Sequence, residues 1–205
     1  MSGGVVGGHR GFGAGAQRAI ALGLMAALAT PWLREALEAT MTRHMLMQFP
    51  LVMLAGALLA APADGRLRAR IARWNAHGIA GLVFCAVALA VLMIPRVLDL
   101  AVRDVWVECA KGGALVACGA ALRLSWRTAG AIVQGFFLGN VVPMSIAIGQ
   151  LYVDSPLRLC NAYQLDDQQR LGAWLTGSAA TLGVLWLLGI SWRMIRSDSD
   201  APAQR

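Results

Sequence analysis

The chain has 205 residues, of which 58% are hydrophobic and only 14% charged, with a formal net charge of +7. Soluble domains are about 45–50% apolar and about 25% charged, so this composition is typical of an integral membrane protein. A spanning helix needs roughly 20 mostly apolar residues, so a chain of this length holds about six and leaves no room for a separate soluble domain. The basic excess does not indicate a nucleic-acid partner, because the arginines are scattered over short segments between apolar stretches.

Six apolar stretches predict spanning helices, which we name A to F in chain order. Their bounds are Ala14–Leu33 for A, Met41–Ala61 for B, Gly78–Ile94 for C, Val105–Leu124 for D, Ala129–Leu151 for E and Leu171–Trp192 for F. Pro62 ends helix B and Pro95 ends helix C, because proline cannot continue the hydrogen-bonding pattern. In helix E, the spacing of Gly135 and Gly139 predicts a close helix contact. We therefore expect an all-α integral membrane protein, a bundle of about six transmembrane helices.

The distribution of basic residues predicts the orientation of this bundle. Of the 18 basic residues, 11 arginines fall in one alternating set of segments, 6 fall in the other set, and Lys111 lies inside helix D. Because cytoplasmic loops are enriched in Lys and Arg, both termini are expected to be cytoplasmic. We expect a flexible cytoplasmic N-terminus (1–13), a transmembrane domain (14–193) and a cytoplasmic C-terminal tail (194–205). The triplet Ala27–Leu28–Ala29 leaves open whether helix A is a cleaved signal sequence.

With this orientation, acidic side chains and soft metal ligands gather at the outer face. Eight of the 11 acidic residues fall there: Glu35, Glu38, Asp99, Asp104, Glu108, Asp154, Asp166 and Asp167. His44 and Met45 open helix B, Cys109 opens helix D, and Cys160 lies in the loop between helices E and F. Imidazole, thioether, thiol and carboxylate groups together are suited to copper, and the sulfurs favour Cu(I).

Helix B has the best-spaced set of these side chains. Met41, His44, Met45 and Gln48 stand at i, i+3, i+4 and i+7, which places them on one helix face. They could offer nitrogen and sulfur to one soft ion. The alternative is that the methionines fill gaps in the core and that His44 is a hydrogen-bonded structural residue.

Helix D and the cysteines also leave alternatives open. Asp104, Glu108 and Lys111 share one face of helix D, and they could form either an ion path or an ion pair between Glu108 and Lys111. Cys109 and Cys160 could bind copper, form a disulfide or be unrelated. The sequence contains no C-x-x-C zinc motif, Walker loop or Rossmann fingerprint, and we do not expect an enzyme.

Two stretches resemble a known family. The segment His44-Met45-Leu46-Met47-Gln48-Phe49-Pro50 enters helix B, and the segment Asn161-Ala162-Tyr163-Gln164-Leu165-Asp166-Asp167-Gln168-Gln169-Arg170 leads into helix F. Together they resemble the CtaG-type cytochrome c oxidase assembly proteins, which are multi-spanning and linked to copper delivery. In that family a second histidine stands near Gln48 or Phe49, and a further histidine stands near Val105 to Lys111. Both are missing here, and family members tend to have about seven helices.

The resemblance and the outer-face ligands predict a copper-handling assembly factor in a bacterial inner membrane, where it crosses the bilayer several times. Its partners would be the lipid bilayer and either a cytochrome oxidase subunit or a periplasmic copper chaperone. The expected copper ligands are His44, Met45, Cys160, Asp166 and Cys109.

Four further residues, Asp167, Gln168, Met41 and Glu108, are expected to support these ligands. For Asp167 the plainer alternative is that it only N-caps helix F. The alternatives for the whole chain are an accessory subunit of a respiratory complex that binds no metal, and a small ion transporter that uses Asp104, Glu108 and Lys111.

Overall fold

A computed structural model describes residues 13–61 and 65–199, with side chains for residues 13–61 and 69–196. Within these residues every regular element is helical, and the order is α1 (Ala14–Ala29), α2 (Pro31–Glu38), α3 (Met41–Arg43), a π-helical turn (His44–Gln48), α4 (Phe49–Ala60), α5 (Gly65–Trp74), α6 (Ile79–Leu92), α7 (Pro95–Arg103), α8 (Val105–Ser125), α9 (Ala131–Asp154) and α10 (Leu165–Ser199). The expected flexible N-terminus lies outside the described residues except for Gly13, as does the tail beyond Ser199.

Several helices are long and apolar enough to cross a membrane. Four qualify alone: Met41–Ala60, Val105–Ser125, Ala131–Asp154 and Leu165–Arg196. Two bent pairs, α1 with α2 and α6 with α7, also qualify when each pair is taken together. The described part of the chain therefore has four to six candidate spans, and the expectation of an all-helical, multi-pass membrane protein is confirmed at this level.

Each of the two bends occurs at the residue immediately before a proline, Thr30 before Pro31 and Ile94 before Pro95. The axis turns by 72° between α1 and α2 and by 76° between α6 and α7. Thr30 and Ile94 adopt extended backbone angles, because the ring of the following proline disfavours helical angles at the residue before it. Helix A is therefore shorter than expected, and the break at Pro95 is followed by a further helix that the sequence did not predict.

Two other segments also differ from expectation. Helix F was expected at Leu171–Trp192, whereas α10 begins six residues earlier and continues to Ser199, into the expected tail. Between helices B and C, where the sequence predicts no helix, the structure contains helix α5. The absence of helix breakers between Gly65 and Trp74 and the many good helix formers there account for this helix.

Glycines allow the main helices to approach closely. A Cβ atom at Gly56 would overlap the carbonyl oxygen of Val116, and one at Gly119 would overlap the carbonyl oxygen of Met53, so α4 and α8 are in backbone contact. Helices α9 and α10 meet in the same way at Gly149 and Gly172. The sequence predicts a close helix contact at Gly135 and Gly139. A Cβ atom at Gly135 would lie 3.0 Å from the Trp186 ring, whereas one at Gly139 would meet nothing within 4 Å.

Candidate functional site

A π-helical turn places the expected face of helix B inside the protein. Pro50 has no N–H to donate to the carbonyl of Leu46 and its ring crowds that group, which favours a wider turn at this point. Met41, His44, Met45 and Gln48 are all buried, as their spacing predicted. Met47, on the opposite face, is 52% exposed. Burial therefore separates Met47 from Met41 and Met45, which face inward.

His44 lies at the centre of a buried polar cluster. Its Nδ1 is 2.6 Å from the Tyr163 hydroxyl, and its Nε2 is 2.8 Å from Lys111 Nζ. An ammonium can only donate, so Nε2 accepts from Lys111, and a neutral ring then carries its proton on Nδ1 and donates it to Tyr163. The Phe49 ring meets His44 edge to face at 5.7 Å. Both ring nitrogens are therefore engaged in this arrangement.

Lys111 also forms an ion pair with Glu108. Its Nζ lies 2.6 Å from Glu108 Oε2, and the Lys111 side chain is only 3% exposed. An ion pair is one of the two interpretations that the sequence leaves open for helix D, and the structure contains it. Asp104 is separate from it, because this carboxylate is exposed and accepts from the Trp106 N–H at the start of α8.

A second polar group extends the cluster toward α2. Gln48 Nε2 donates to Glu38 Oε1 at 3.4 Å, and the same carboxylate pairs with Arg34 at 3.1 Å. The Gln48 Oε1 atom is buried and has no hydrogen-bond partner among the described residues. Gln48 therefore offers an unused acceptor on the same inward face as His44.

The second family-like segment is fixed beside His44 by two buried side chains. The Asp99 carboxylate, on α7, accepts from the N–H groups of Asn161 and Ala162 at 2.9 and 3.1 Å. The Gln168 amide, on α10, accepts from the Leu159 N–H and donates to the carbonyls of Tyr152 and Leu157. These bonds hold the loop that carries Cys160 and Tyr163 against α7 and α9.

Cys160 is buried with the sulfur atoms of helix B. Met41, Met45, Cys160 and Tyr163 belong to one buried cluster, and the Cys160 thiol donates to the Pro95 carbonyl at 3.5 Å. Burial raises the pKa of Cys160 to about 12, and the negative charge of Asp99 raises it in the same direction. Burial likewise raises the pKa of Tyr163. Cys160 is therefore protonated at neutral pH, and a metal ion would have to displace that proton.

Three of the five expected ligands come together in this region, and two do not join them. His44 contacts Tyr163 directly, Met45 and Cys160 belong to the same buried cluster as Tyr163, and the supporting residues Met41 and Gln168 are also buried. Cys109 is exposed and Asp166 lies on the exposed side of α10. Both Cys109 and Cys160 are free thiols, so the disulfide alternative is not formed.

Asp167 does not N-cap the last helix. Because α10 begins at Leu165, Asp166 and Asp167 both lie within its first turn, where negative charge complements the helix dipole. The alternative role of Asp167 therefore holds only in part: its charge complements the helix dipole, but the earlier start of α10 places it inside the helix and not at the N-cap.

The fold and this cluster define a class: a multi-pass helical membrane protein with a buried Lys–His–Tyr arrangement near one end of the bundle. Compared with known proteins, the chain matches no protein-family model, no curated protein and no solved structure. The site therefore has to be interpreted from its own chemistry.

The donor types at this site suit a soft monovalent metal. Imidazole, two thioethers and a thiol gather there, although no group of three or more His, Cys, Asp or Glu side chains is found among the described residues. Sequence reasoning did not assign roles to Tyr163 or Lys111 at this site. The sequence marked Lys111 as the chain's lone lysine, inside an apolar span and beside Glu108, but no local pattern linked it to His44.

Proposed function

We propose that the chain is a membrane-embedded assembly factor for a copper-containing respiratory oxidase, and that it binds or relays Cu(I) at the end of the bundle that holds His44. The observation that carries this proposal is the meeting of the two family-like segments. His44 and Tyr163 are 119 positions apart in the sequence, yet their side chains are 2.6 Å apart. Neither segment would need to meet the other if the resemblance were a chance match of short motifs.

In this proposal His44, Met45 and Cys160 hold the copper that is passed on. Met41 adds a second thioether to the same buried cluster. Lys111 is the cation that holds His44 Nε2 when copper is not bound. When His44 exchanges this bond, Lys111 keeps a partner, because Glu108 lies 2.6 Å from its ammonium. Asp99 and Gln168 keep the Cys160 loop in place throughout. The site would face the periplasm of a bacterial inner membrane, with both termini in the cytoplasm.

A second candidate function is an accessory subunit of a respiratory complex that binds no metal. The observation that favours it is the engagement of both His44 nitrogens, one of them by an ammonium group that repels a metal cation. In that case the cluster serves to join the π-helical turn, α8 and the loop before α10.

An oxidase assembly assay in cells that lack the chromosomal copy distinguishes the two functions. We expect the wild-type chain to restore copper-loaded oxidase in the membrane, and His44→Gln and Cys160→Ser to restore less than about a tenth of it. Loss of a ligand's supporting contacts alone typically costs 10–100-fold in metal affinity or activity. The matched control is Met47→Leu, because Met47 is on the same turn but is exposed.

The comparison also has a result that would exclude the copper role. If His44→Gln and Cys160→Ser accumulate to wild-type levels and restore oxidase fully, the accessory-subunit function takes its place. Immunoblots of the membrane fraction give the amount of each variant, so a failure to fold is separated from a failure to deliver copper.

A further inference from the structure

A basic cleft lies at the end of the bundle opposite His44. It is formed by α5, the start of α6 and the last turns of α8. Lys111 and Arg123 are both on α8 and are separated by twelve residues, or about 18 Å along the helix axis. This cleft is therefore distinct from the His44 site and does not depend on the function proposed for it.

The polar part of the cleft is a cavity of about 230 Å³. It is lined by Ile71, Ala72, Asn75, Arg123, Leu124, Arg127 and Thr128. No acidic side chain forms an ion pair with Arg123 or Arg127 among the residues that the structure describes. Two guanidinium groups that lack acidic partners within this described part of the chain form a suitable site for a phosphate group.

Asn75 makes the cavity a preformed one. Its Nδ2 donates to Ser125 Oγ at 2.8 Å, and its Oδ1 accepts from the Gly81 N–H at 3.1 Å. These bonds fix the connection between α5 and α6 against the end of α8. Gly78, the residue before α6, has a φ of 71°, a left-handed conformation that glycine adopts at low cost.

The cleft continues into an apolar groove of about 400 Å³. Ile71, Trp74, Gly81, Ala121 and Leu124 line it, together with Arg70 at its edge. Trp74 is 86% exposed, as expected for an indole at the boundary between lipid tails and headgroups. A charged cavity joined to an apolar groove at this level matches a molecule with a phosphate headgroup and a hydrocarbon chain.

We propose that this cleft binds an anionic glycerophospholipid, with its phosphate between Arg123 and Arg127 and one acyl chain in the groove beside Trp74. Basic pockets at the cytoplasmic end of transmembrane helices bind such headgroups. The distribution of arginines predicts that this end is cytoplasmic. The simpler alternative is that Arg123 only complements the dipole at the end of α8.

Native mass spectrometry of the detergent-purified, full-length chain tests this proposal. Phosphatidylglycerol and phosphatidylcholine of the same chain length are titrated separately. We expect the wild type to bind phosphatidylglycerol about tenfold more tightly, and the double variant Arg123→Gln/Arg127→Gln to bind the two lipids within about twofold of each other. The matched control, Arg193→Gln/Arg196→Gln, removes the same charge from exposed positions on α10 and should keep the preference.

Three results would overturn the proposal. The first is a wild type with no preference for phosphatidylglycerol. The second is an equal loss of preference in the control, which would mean that the basic surface acts as a whole. The third concerns the source of the phosphate: if inorganic phosphate displaces the lipid at equal concentration, the cavity binds free phosphate and the acyl groove has no part in binding.

Discussion

Glu108→Gln is expected to lower the free energy of unfolding by about 3 kcal/mol. The change leaves the Lys111 ammonium, whose side chain is 3% exposed, without its anionic partner. Removing one member of a buried ion pair typically costs about 3–5 kcal/mol, because the remaining charge stays desolvated. We take the lower end of this range, since the Glu108 side chain is 16% exposed and the ion pair is therefore partly accessible to solvent.

The double variant Glu108→Gln/Lys111→Met provides the critical comparison. It removes both charges, so it should recover at least half of the lost stability, although His44 Nε2 then lacks its donor. Thermal unfolding in detergent, followed with a thiol-reactive dye, reports the change through the buried thiols of Cys85, Cys118 and Cys160. A Cys109→Ser background removes the signal of the exposed thiol.

Glu35→Gln is the matched control for this series, because Glu35 is exposed and its charge is solvated. The single variant should shift the midpoint by roughly 10 °C, and the control should shift it by about 1 °C or less. If Glu108→Gln behaves like Glu35→Gln, the buried ion pair does not exist in the protein, and the position assigned to Lys111 is wrong.

The second large effect is expected at the crossing of α4 and α8. Gly119→Ala introduces a Cβ atom that would overlap the Met53 carbonyl oxygen, and backbone atoms cannot move aside as a flexible side chain can. The two helices must separate, at a cost of about 2–3 kcal/mol. Small residues at such crossings are what allow transmembrane helices to pack closely.

Separation of these helices should also weaken the polar cluster. His44 is on the helix that continues into α4, and Lys111 is on α8, so their 2.8 Å contact spans the same crossing. Gly113→Ala is the control, because a Cβ atom there would meet nothing within 4 Å. It should be neutral or gain up to about 1 kcal/mol from helix propensity. Equal effects of the two changes in the thiol-dye assay would contradict the packing described for α4 and α8.

Sequence patterns were sufficient for the helices and for one face of the site. Apolar windows located the segments that hold the four to six candidate spans, because hydrophobic length is a local property of the sequence. Helical spacing placed Met41, His44, Met45 and Gln48 on one inward face. The sharp bends at Thr30 and Ile94 were not foreseen, because a residue before proline can end a helix or bend a span, and composition alone does not decide between them.

The contacts that complete the site depend on tertiary packing. Tyr163 and Lys111 reach His44 from distant parts of the chain, and no local pattern encodes their meeting. Cys109 is the opposite case, an expected ligand that packing does not bring to the site. It follows Glu108 directly, so a rotation of about 100° along the helix carries its side chain away from the face that Glu108 and Lys111 share. A position near the helix start therefore did not bring Cys109 into the buried cluster.

An anaerobic Cu(I) competition titration on the detergent-purified protein tests the central claim most directly. We expect the wild type to bind about one Cu(I), and His44→Gln and Cys160→Ser each to weaken binding by about 10–100-fold, while Met47→Leu binds as the wild type does. If the wild type binds no Cu(I) above background, or if His44→Gln binds it as tightly as the wild type, the site at His44 is not a copper site and the proposed role in copper delivery is wrong.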